Sequence, residues 1–425
     1  MIMATLLNEL AARGMIAQVS DPGLERMLEE KRFTIYAGFD PTARSLHLGH
    51  MLPIMGLAHF QRAGHRVIVL VGGATGMVGD PSGRSSERNL LSPEQVAENV
   101  AGVRAQLSRF LAFDGANPAI LVNNNDWIAG MSFIDWLREV GKHFKLSQML
   151  AKDSVRKRME SGDGLSYTEF SYMTMQAYDF LRLFEDYDCR LQAGGNDQWG
   201  NITAGMDLIH KVRGEAAYGL TFPLITTSTG EKFGKSAGNA VWLDAGLTSP
   251  YQLYQYWIRT DDRDAGMYLK YFTFIPLPEI EALCAGHAAA PEKREAQKRL
   301  AAEFTRLVHG EQGLARARRA TDALFGAEIE GWTDAELLDI FEDVPSARAP
   351  RAALEQGALL VDALAAAGVF SSKSEARRLI QSNGLYLNNR RVDSADARLA
   401  PESLASENIA VIRKGRKNYH IVRFE

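Results

Sequence analysis

Cysteine is almost missing from this chain: Cys189 and Cys284 are the only two in 425 residues, far apart and outside any CxxC pattern. That argues against a disulfide framework and a cysteine zinc site, and it fits a reducing compartment, the cytoplasm. Long hydrophobic runs are missing too. No stretch approaches the ~20 apolar residues that span a bilayer, so no membrane partner is expected. The opening MIMATLLNELAARGM has apolar residues at helical spacing but neither a basic start nor a cleavage site, and is not read as a secretory signal. Nor is there a large excess of one charge: 48 Lys and Arg face 52 Asp and Glu, a net −4. What remains is ordinary globular material, 46% apolar and 24% charged, long enough for two or three domains with a sizeable core.

The charge is unevenly spread. Residues 351–425 hold 12 Lys and Arg against 8 Asp and Glu, so a tail of +4 follows a body of −8. Taken alone this is a weak sign of RNA contact, and a solvated surface explains it equally well.

The first half alternates strand and helix patterns. FTIYAGF (33–39) and RVIVLVGG (66–73) are β-branched runs with a helical pattern between them, a βαβ unit whose default is a parallel sheet. AILVNN (119–124) and CRLQAGG (189–195) read as further strands, and 126–150 and 165–187 as helices, with a polar loop at 161–164. This predicts an α/β, Rossmann-like catalytic domain over 1–247. A helical domain is expected over 248–341, a Pro- and Ala-containing linker over 342–356 and a small α+β module over 357–425. No internal repeat is evident.

Three features carry chemistry. On the helix pattern 169–186, Tyr172, Gln176 and Asp179 fall at i, i+4 and i+7, a polar stripe on an otherwise apolar cylinder. Buried polar groups cost about 1–3 kcal/mol each when unpaired, so the stripe faces either an internal hydrogen-bond network or a polar ligand. Strand ends form the second feature: YAGFD ends in Asp40, and GGATGMVGDPSG and QAGGNDQWGN follow two other strands. Ligands of parallel sheets bind beyond the carboxyl ends of strands. Both the Walker pattern and a proper GxGxxG are absent, so neither a P-loop nor a dinucleotide enzyme is supported. The third is TGEKFGKSAGN (229–239), a loop whose Lys232 and Lys235 are either simply solvated or, where the ligand is a polyphosphate, able to clamp it.

HLGH (47–50) stands between a strand and a helix; its histidines are either plain surface residues of a loop or carry one of three roles, metal ligand, general base or donor pair for an anion. No HExxH signature or nearby third ligand accompanies them, so no metal site is expected. Pro53 is tolerated only near a helix start, which places His47 and His50 at a helix N-terminus, where anions are favoured.

HLGH and KFGKS, in this order on a nucleotide-type sheet, resemble the HIGH and KMSKS signatures of class I aminoacyl-tRNA synthetases. YAGFDPTA, GDPSGR, EFSYMTMQAYD and GGNDQWGN narrow the resemblance to the bacterial-type tyrosyl-tRNA synthetase family over essentially the whole chain. The tail from about Gly357 resembles the RNA-binding module named after ribosomal small-subunit protein four. The resemblance implies activation of L-tyrosine by ATP, with Mg2+ accompanying the ATP, and transfer of tyrosine to tRNA(Tyr). It places Tyr36 and Asp179 at the substrate phenol, Tyr172 and Gln176 at its ammonium group, and Asp80 and Gln198 near its amine and carboxylate. Gly195 and Asp197 match ribose contacts and Gly49 the approach to adenosine. Thr42, His47 and His50 match the phosphate cluster, with Lys232 and Lys235 from the loop and Arg84 and Arg88 from a second side. Arg377, Arg378, Arg390, Arg391, Lys414, Arg416 and Lys417 are the expected RNA contacts. A homodimer through an insertion around 125–165 is implied as well.

Phenol recognition by Tyr36 and Asp179 would leave buried groups unpaired when the hydroxyl is missing, a rule for which this enzyme family is itself the standing example. Two rivals share the scaffold: a tryptophanyl-tRNA synthetase, and an RNA-binding relative without catalysis.

Overall fold

The computed structural model describes residues 5–82, 92–160, 164–230, 233–236, 239–342, 344–416 and 418–425. Its first sheet has six strands: β1 Gln18–Val19, β2 Thr34–Phe39, β3 Arg66–Val71, β4 Ile120–Asn123, β5 Cys189–Gly195 and β6 Tyr218–Phe222. Their order is β1-β6-β5-β2-β3-β4. β2 to β6 run parallel, and β1 closes one edge antiparallel to β6. The chain steps outward from β2 through β3 to β4, then returns to the other side of β2 for β5 and β6. That reversal opens a crevice at the carboxyl ends of the central strands.

The strands are apolar because helices cover the sheet. Val67, Ile68, Val69 and Val71 are fully buried, as expected for a parallel sheet packed on both faces. The helix Met51–Arg62 packs on β2, β3 and β5, and the helix Tyr167–Tyr187 packs on β5. Met173, Ala177, Phe180, Leu183 and Phe184 of the second helix enter one core with Tyr36, Ile68 and Cys189.

Four expected strands are present near their expected limits, and β1 and β6 are additional. β1 has two residues and β6 is interrupted by Gly219, so neither shows a clear alternation. The helical pattern at 126–150 resolves into Asn125–Ile128, Phe133–Glu139 and Leu146–Leu150. A separate N-cap, Ser132 accepting from Asp135 N, starts the second of these, and a 3-10 turn at Gly141–His143 follows it. The loop expected at 161–164 lies outside the described residues except for Gly164.

Two compact units divide the chain: Met1–Thr248 with Tyr256–Val308, and Ser249–Gln255 with His309–Glu425. The helical stretch after Pro250 is thus shared between them. In the first unit, buried Arg13 donates to the carbonyls of Lys270, Thr273 and Ile275 at 3.2, 3.2 and 2.9 Å, tying the helix Asp262–Phe272 to the N-terminal helix. Two short paired strands, β7 Lys235–Ser236 and β8 Asn239–Ala240, also belong to this unit.

The second unit carries a five-stranded sheet, in the order β11-β10-β12-β13-β9. Its strands are β9 Ser346–Ala349, β10 Leu385–Leu387, β11 Arg390–Arg391, β12 Ile409–Lys414 and β13 Asn418–Phe424. β9 lies inside the stretch expected to be a linker and pairs parallel to β13. Alternating small side chains in SARA hide that strand from composition. Asn388 and Asn389 hold left-handed φ values of 50° and 64° at the β10–β11 turn, a conformation asparagine tolerates. Among the described residues, no helix is long and apolar enough to cross a membrane.

Candidate active site

The crevice is built from strand ends. Asp40 follows β2, Gly72 and Gly73 follow β3, Asn123 ends β4 with Asn124 beyond it, and Gly194 and Gly195 end β5. Asp40 accepts from Thr75 Oγ1 at 2.8 Å and from the Tyr172 hydroxyl at 2.9 Å. Asn124, fully buried, donates to Thr75 Oγ1 at 3.0 Å and to Asp179 Oδ2 at 3.0 Å. Trp127 Nε1 donates to Asp179 Oδ1 at 2.8 Å. The glycines are needed here: a Cβ at Gly72 would lie 2.2 Å from both Asp40 Oδ1 and Thr75 Oγ1, and one at Gly73 would lie 2.2 Å from Asn123 Oδ1.

The polar stripe of the helix Tyr167–Tyr187 therefore joins an internal network, but the network is incomplete. The Tyr36 hydroxyl and Gln192 Oε1 are buried with no hydrogen-bond partner, although the two residues are register partners on β2 and β5. Burial, and after it the charge of Asp179, pushes the Tyr36 phenol well above its ordinary value. Burial likewise pushes the Asp179 carboxyl up to about 7, against the opposing bonds from Asn124 and Trp127. Unpaired buried polar atoms are uncommon, and each calls for a reason. A phenolic hydroxyl arriving beside Tyr36 and Asp179 supplies one, since it can donate to a carboxylate and accept from a tyrosine.

A second polar group lies on the other side of Tyr172. Asp80 accepts from Ser82 N at 2.9 Å and from Gln198 Nε2 at 2.7 Å. Asn201 Nδ2 donates to Gln176 Oε1 at 3.0 Å and to Gln198 Oε1 at 3.2 Å. The Tyr172 hydroxyl spends its proton on Asp40, so its oxygen, Gln176 Oε1 and Asp80 are acceptors suited to an ammonium group. Asp197 accepts from Gln198 Nε2 at 3.1 Å, and burial pushes its carboxyl up. Next to it stands Leu224, 60% exposed, whose side chain comes within 3.6 Å of a Cβ built on Gly195.

HLGH forms a 3-10 turn, Leu48–His50, leading into the helix Met51–Arg62. Pro53 falls in that helix's first turn, where its missing N–H costs nothing. Gly49 N donates to His47 Nδ1 at 3.0 Å and His47 N donates to His50 Nδ1 at 3.2 Å. With both Nδ1 atoms accepting, the neutral form of each imidazole carries its ring proton on Nε2. The rings stack with centroids 4.0 Å apart. From the approach side, Asn99 Nδ2 donates to Pro41 O at 2.8 Å and Leu46 N donates to Gln106 Oε1 at 2.7 Å. The helix Pro93–Leu107 thus fixes the loop that carries exposed Thr42.

The two signatures meet in space. Leu48 N donates to Val241 O at 3.0 Å and Val241 N donates to Gly234 O at 2.9 Å. Gly234, at φ 77°, leaves so little room that a Cβ would lie 3.1 Å from Leu48 Cβ and 3.2 Å from Gly49 N. Exposed Lys235 follows at the start of β7. The other expected phosphate contacts, Lys232, Arg84 and Arg88, lie outside the described residues, as does Lys417.

Sequence reasoning missed Thr75, Asn124, Trp127, Gln192 and Asn201, and gave Asp40 no role beyond its place at a strand end. The doubled Asn after β4 was the available signal, since a strand closing on Asn in a parallel sheet faces the crevice. Trp127 was hidden inside the stretch assigned to an interface.

In the second unit the basic residues differ in how committed they are. Arg377 and Arg378 are exposed on the helix Lys373–Gln381, and Arg416 is exposed in the β12–β13 turn. Arg390 pairs with Glu328 and Glu330, and Arg391 with Asp393. Lys414 Nζ donates to Val369 O and lies 4.2 Å over the Phe370 ring.

Comparison with known proteins identifies the family. Residues 28–326 match the family described as tRNA synthetases class I (W and Y), and residues 336–422 match the tyrosine–tRNA ligase SYY-like C-terminal domain. A tyrosine–tRNA ligase of Roseiflexus castenholzii is 53% identical over 425 residues, covering 99% of this chain and 100% of the relative. One from Geobacillus stearothermophilus is 52% identical over 423 residues, covering 99% of each. Among solved structures, a C-terminally truncated mitochondrial tyrosyl-tRNA synthetase of Aspergillus nidulans matches with a TM-score of 0.68 and 36% identity, over 76% of this chain and 94% of that one. Identity at this level along the full length, on top of the match to the class I fold, places the chain in the tyrosine–tRNA ligase family of class I aminoacyl-tRNA synthetases.

Proposed function

We propose that the chain activates L-tyrosine with ATP and transfers it to tRNA(Tyr), using the crevice at the β2–β5 carboxyl ends. The observation that carries the substrate choice is the buried Tyr36 hydroxyl without a partner beside buried Asp179. An indole offers no hydroxyl to this pair, which disfavours tryptophan. Tyr172, Gln176 and Asp80 receive the ammonium group, and Gln198 lies toward the carboxylate. ATP, which Mg2+ would accompany, enters with its base over Leu224 and its ribose near Gly195 and Asp197.

The tyrosine carboxylate then attacks the α-phosphorus in line, the bond to the bridging oxygen breaks, and pyrophosphate leaves. The nucleophile is already an anion, so no general base is required. Rate comes from orientation and from donors aimed at developing charge. His47 and His50 present Nε2–H to the phosphates, Lys235 adds an ammonium from β7, and Thr42 lies on the approach. Lys232, Arg84 and Arg88 complete the cationic set. In the second step a ribose hydroxyl of the tRNA attacks the tyrosyl carbonyl and AMP departs. The second unit holds the tRNA, chiefly through Arg377, Arg378 and Arg416.

We further propose a homodimer. Seven of the ten exposed large hydrophobics among the described residues lie between Phe133 and Tyr167, including Phe133 at 62%, Leu146 at 65% and Tyr167 at 66%. A patch of that kind marks an association surface. Light scattering on Phe133→Asp with Leu146→Asp should report a monomer. The cytoplasm, where charged tRNA is used, is the working compartment.

Tyrosine-dependent ATP–pyrophosphate exchange, followed by charging of tRNA(Tyr), tests the function. Exchange supported by tryptophan alone, or by neither amino acid, overturns it.

A further inference from the structure

We propose that the helix Asp262–Phe272 is the template that positions the lysine-bearing loop, with Asp264 as its positioning residue. The inference rests on the activation chemistry given under Proposed function. Asp264, Tyr268 and Phe272 are spaced four residues apart, so they form one stripe on the helix. That stripe holds the loop at two points. Asp264, 6% exposed, accepts from Ser228 N with its two oxygens at 3.2 and 3.0 Å, and from Ser228 Oγ at 3.0 Å. Five residues later Phe233 stacks on Phe272, with centroids 5.3 Å apart and planes 8° from parallel, and tilts against Tyr268 at 5.2 Å.

What Phe233 fixes is passed on directly. Gly234, its neighbour, rests against Leu48 and Gly49, and Lys235 is next in the chain. The position of that lysine relative to the histidine turn is therefore set by the stripe together with the β7–β8 pairing and the Val241 bonds.

A buried carboxylate is costly to desolvate unless charge-assisted bonds replace water. Asp264 obtains two such donors from one exposed loop serine, its N–H shared between both oxygens and its hydroxyl. A carboxylate that needs the loop in place to satisfy itself penalises every other loop position. Misplacing a catalytic group by about 1 Å is enough to lose ~100-fold in rate, so this constraint bears on the reaction. The alternative is a purely structural role, since Asp264 also lies in the first turn of its helix, where an acid favours the helix dipole.

Asp264→Asn and Ser228→Pro, made in the full chain, separate the two. Ser228→Pro removes the same backbone donor from the loop side without touching the helix, and so reads the contact even where Asp264→Asn fails to fold. Each is expected to lower kcat for tyrosine-dependent pyrophosphate exchange by about 10-fold or more, with tyrosine Kd within 2-fold of the unaltered chain. The double variant is expected to be no worse than the poorer single one. A kcat within 2-fold in folded Ser228→Pro overturns the proposal, as does a loss of tyrosine affinity in step with kcat. Absence of exchange in the unaltered chain overturns the functional reading instead, so the two failures are distinguishable.

Discussion

Trp127 donates its indole N–H to Asp179 at 2.8 Å, so the carboxylate at the base of the crevice is aimed from a short helix that follows β4. Asn124 holds its other oxygen. With both oxygens engaged, Asp179 is held in one orientation, close enough to Tyr36 for its charge to act on that phenol.

That burial has a pH signature. Asp179 is pushed up to about 7 in the fold from an ordinary 3.8. Between those values the folded chain keeps a proton that the unfolded chain has released. The contribution is favourable below the lower value and is lost as pH rises through about 7. At 1.36 kcal/mol per unit, stability should fall by about 2–3 kcal/mol between pH 5 and 8 from this group alone. Urea melts of the ligand-free chain and Asp179→Asn at both pH values check this. Curves that run parallel would remove the carboxyl from the account.

Tyr36→Phe should act oppositely on stability and on function. Removing a buried hydroxyl without a partner should stabilise the ligand-free chain by about 1 kcal/mol, while kcat/KM for tyrosine falls about 10-fold or more. Thermal melts alongside pyrophosphate exchange give both readings. Loss of both together would mean that the hydroxyl has a structural partner.

His47→Ala or His50→Ala should lower the rate of activation by about 100-fold, the scale of one lost donor to a charged transition state. Tyrosine binding, measured by equilibrium dialysis, should barely change. Weakened binding at an unchanged rate would remove these histidines from the phosphate site.

Gly234→Ala meets two obstacles at once, a positive φ and a crowded approach to Leu48 and Gly49. Activation should drop at least 10-fold, with tyrosine affinity retained. Gly230→Ala, also at positive φ but with nothing within 4 Å of its Cβ, should show the backbone cost alone, on the order of 1 kcal/mol. Equal losses of activity in the two variants would show that contact with the histidine turn does not matter.

Arg377→Ala with Arg378→Ala should leave pyrophosphate exchange intact, raise KM for tRNA in charging, and flatten its salt dependence, because phosphate contacts release counterions. The same change at Arg390 and Arg391 should do less, since those side chains already pair with Glu328, Glu330 and Asp393. Equal effects would widen the RNA surface to β11.

The sequence made part of this legible. Tyr172, Gln176 and Asp179 were visible because helical spacing converts a linear pattern into a stripe. HLGH and KFGKS were visible as motifs, but their contact through Leu48, Gly234 and Val241 was not, since it joins segments nearly 200 positions apart. Trp127 and Asn124 were obscured because their roles depend on where β4 ends. β9 escaped notice because its side chains are small and its partner, β13, lies some 75 residues further on. Local periodicity reads elements; the meeting of strand ends is a property of topology.

Tyr36 and Gln192 stand side by side on β2 and β5 with polar atoms that nothing in the chain answers. Under the proposed function, a bound tyrosine would answer these atoms and act, in effect, as a removable piece of the protein's interior. Its binding stabilises the folded chain by an amount that grows with its concentration. A cell short of tyrosine would then hold this enzyme in its least durable form, more open to proteolysis, so that supply of the substrate governs the lifetime of the catalyst as well as its rate.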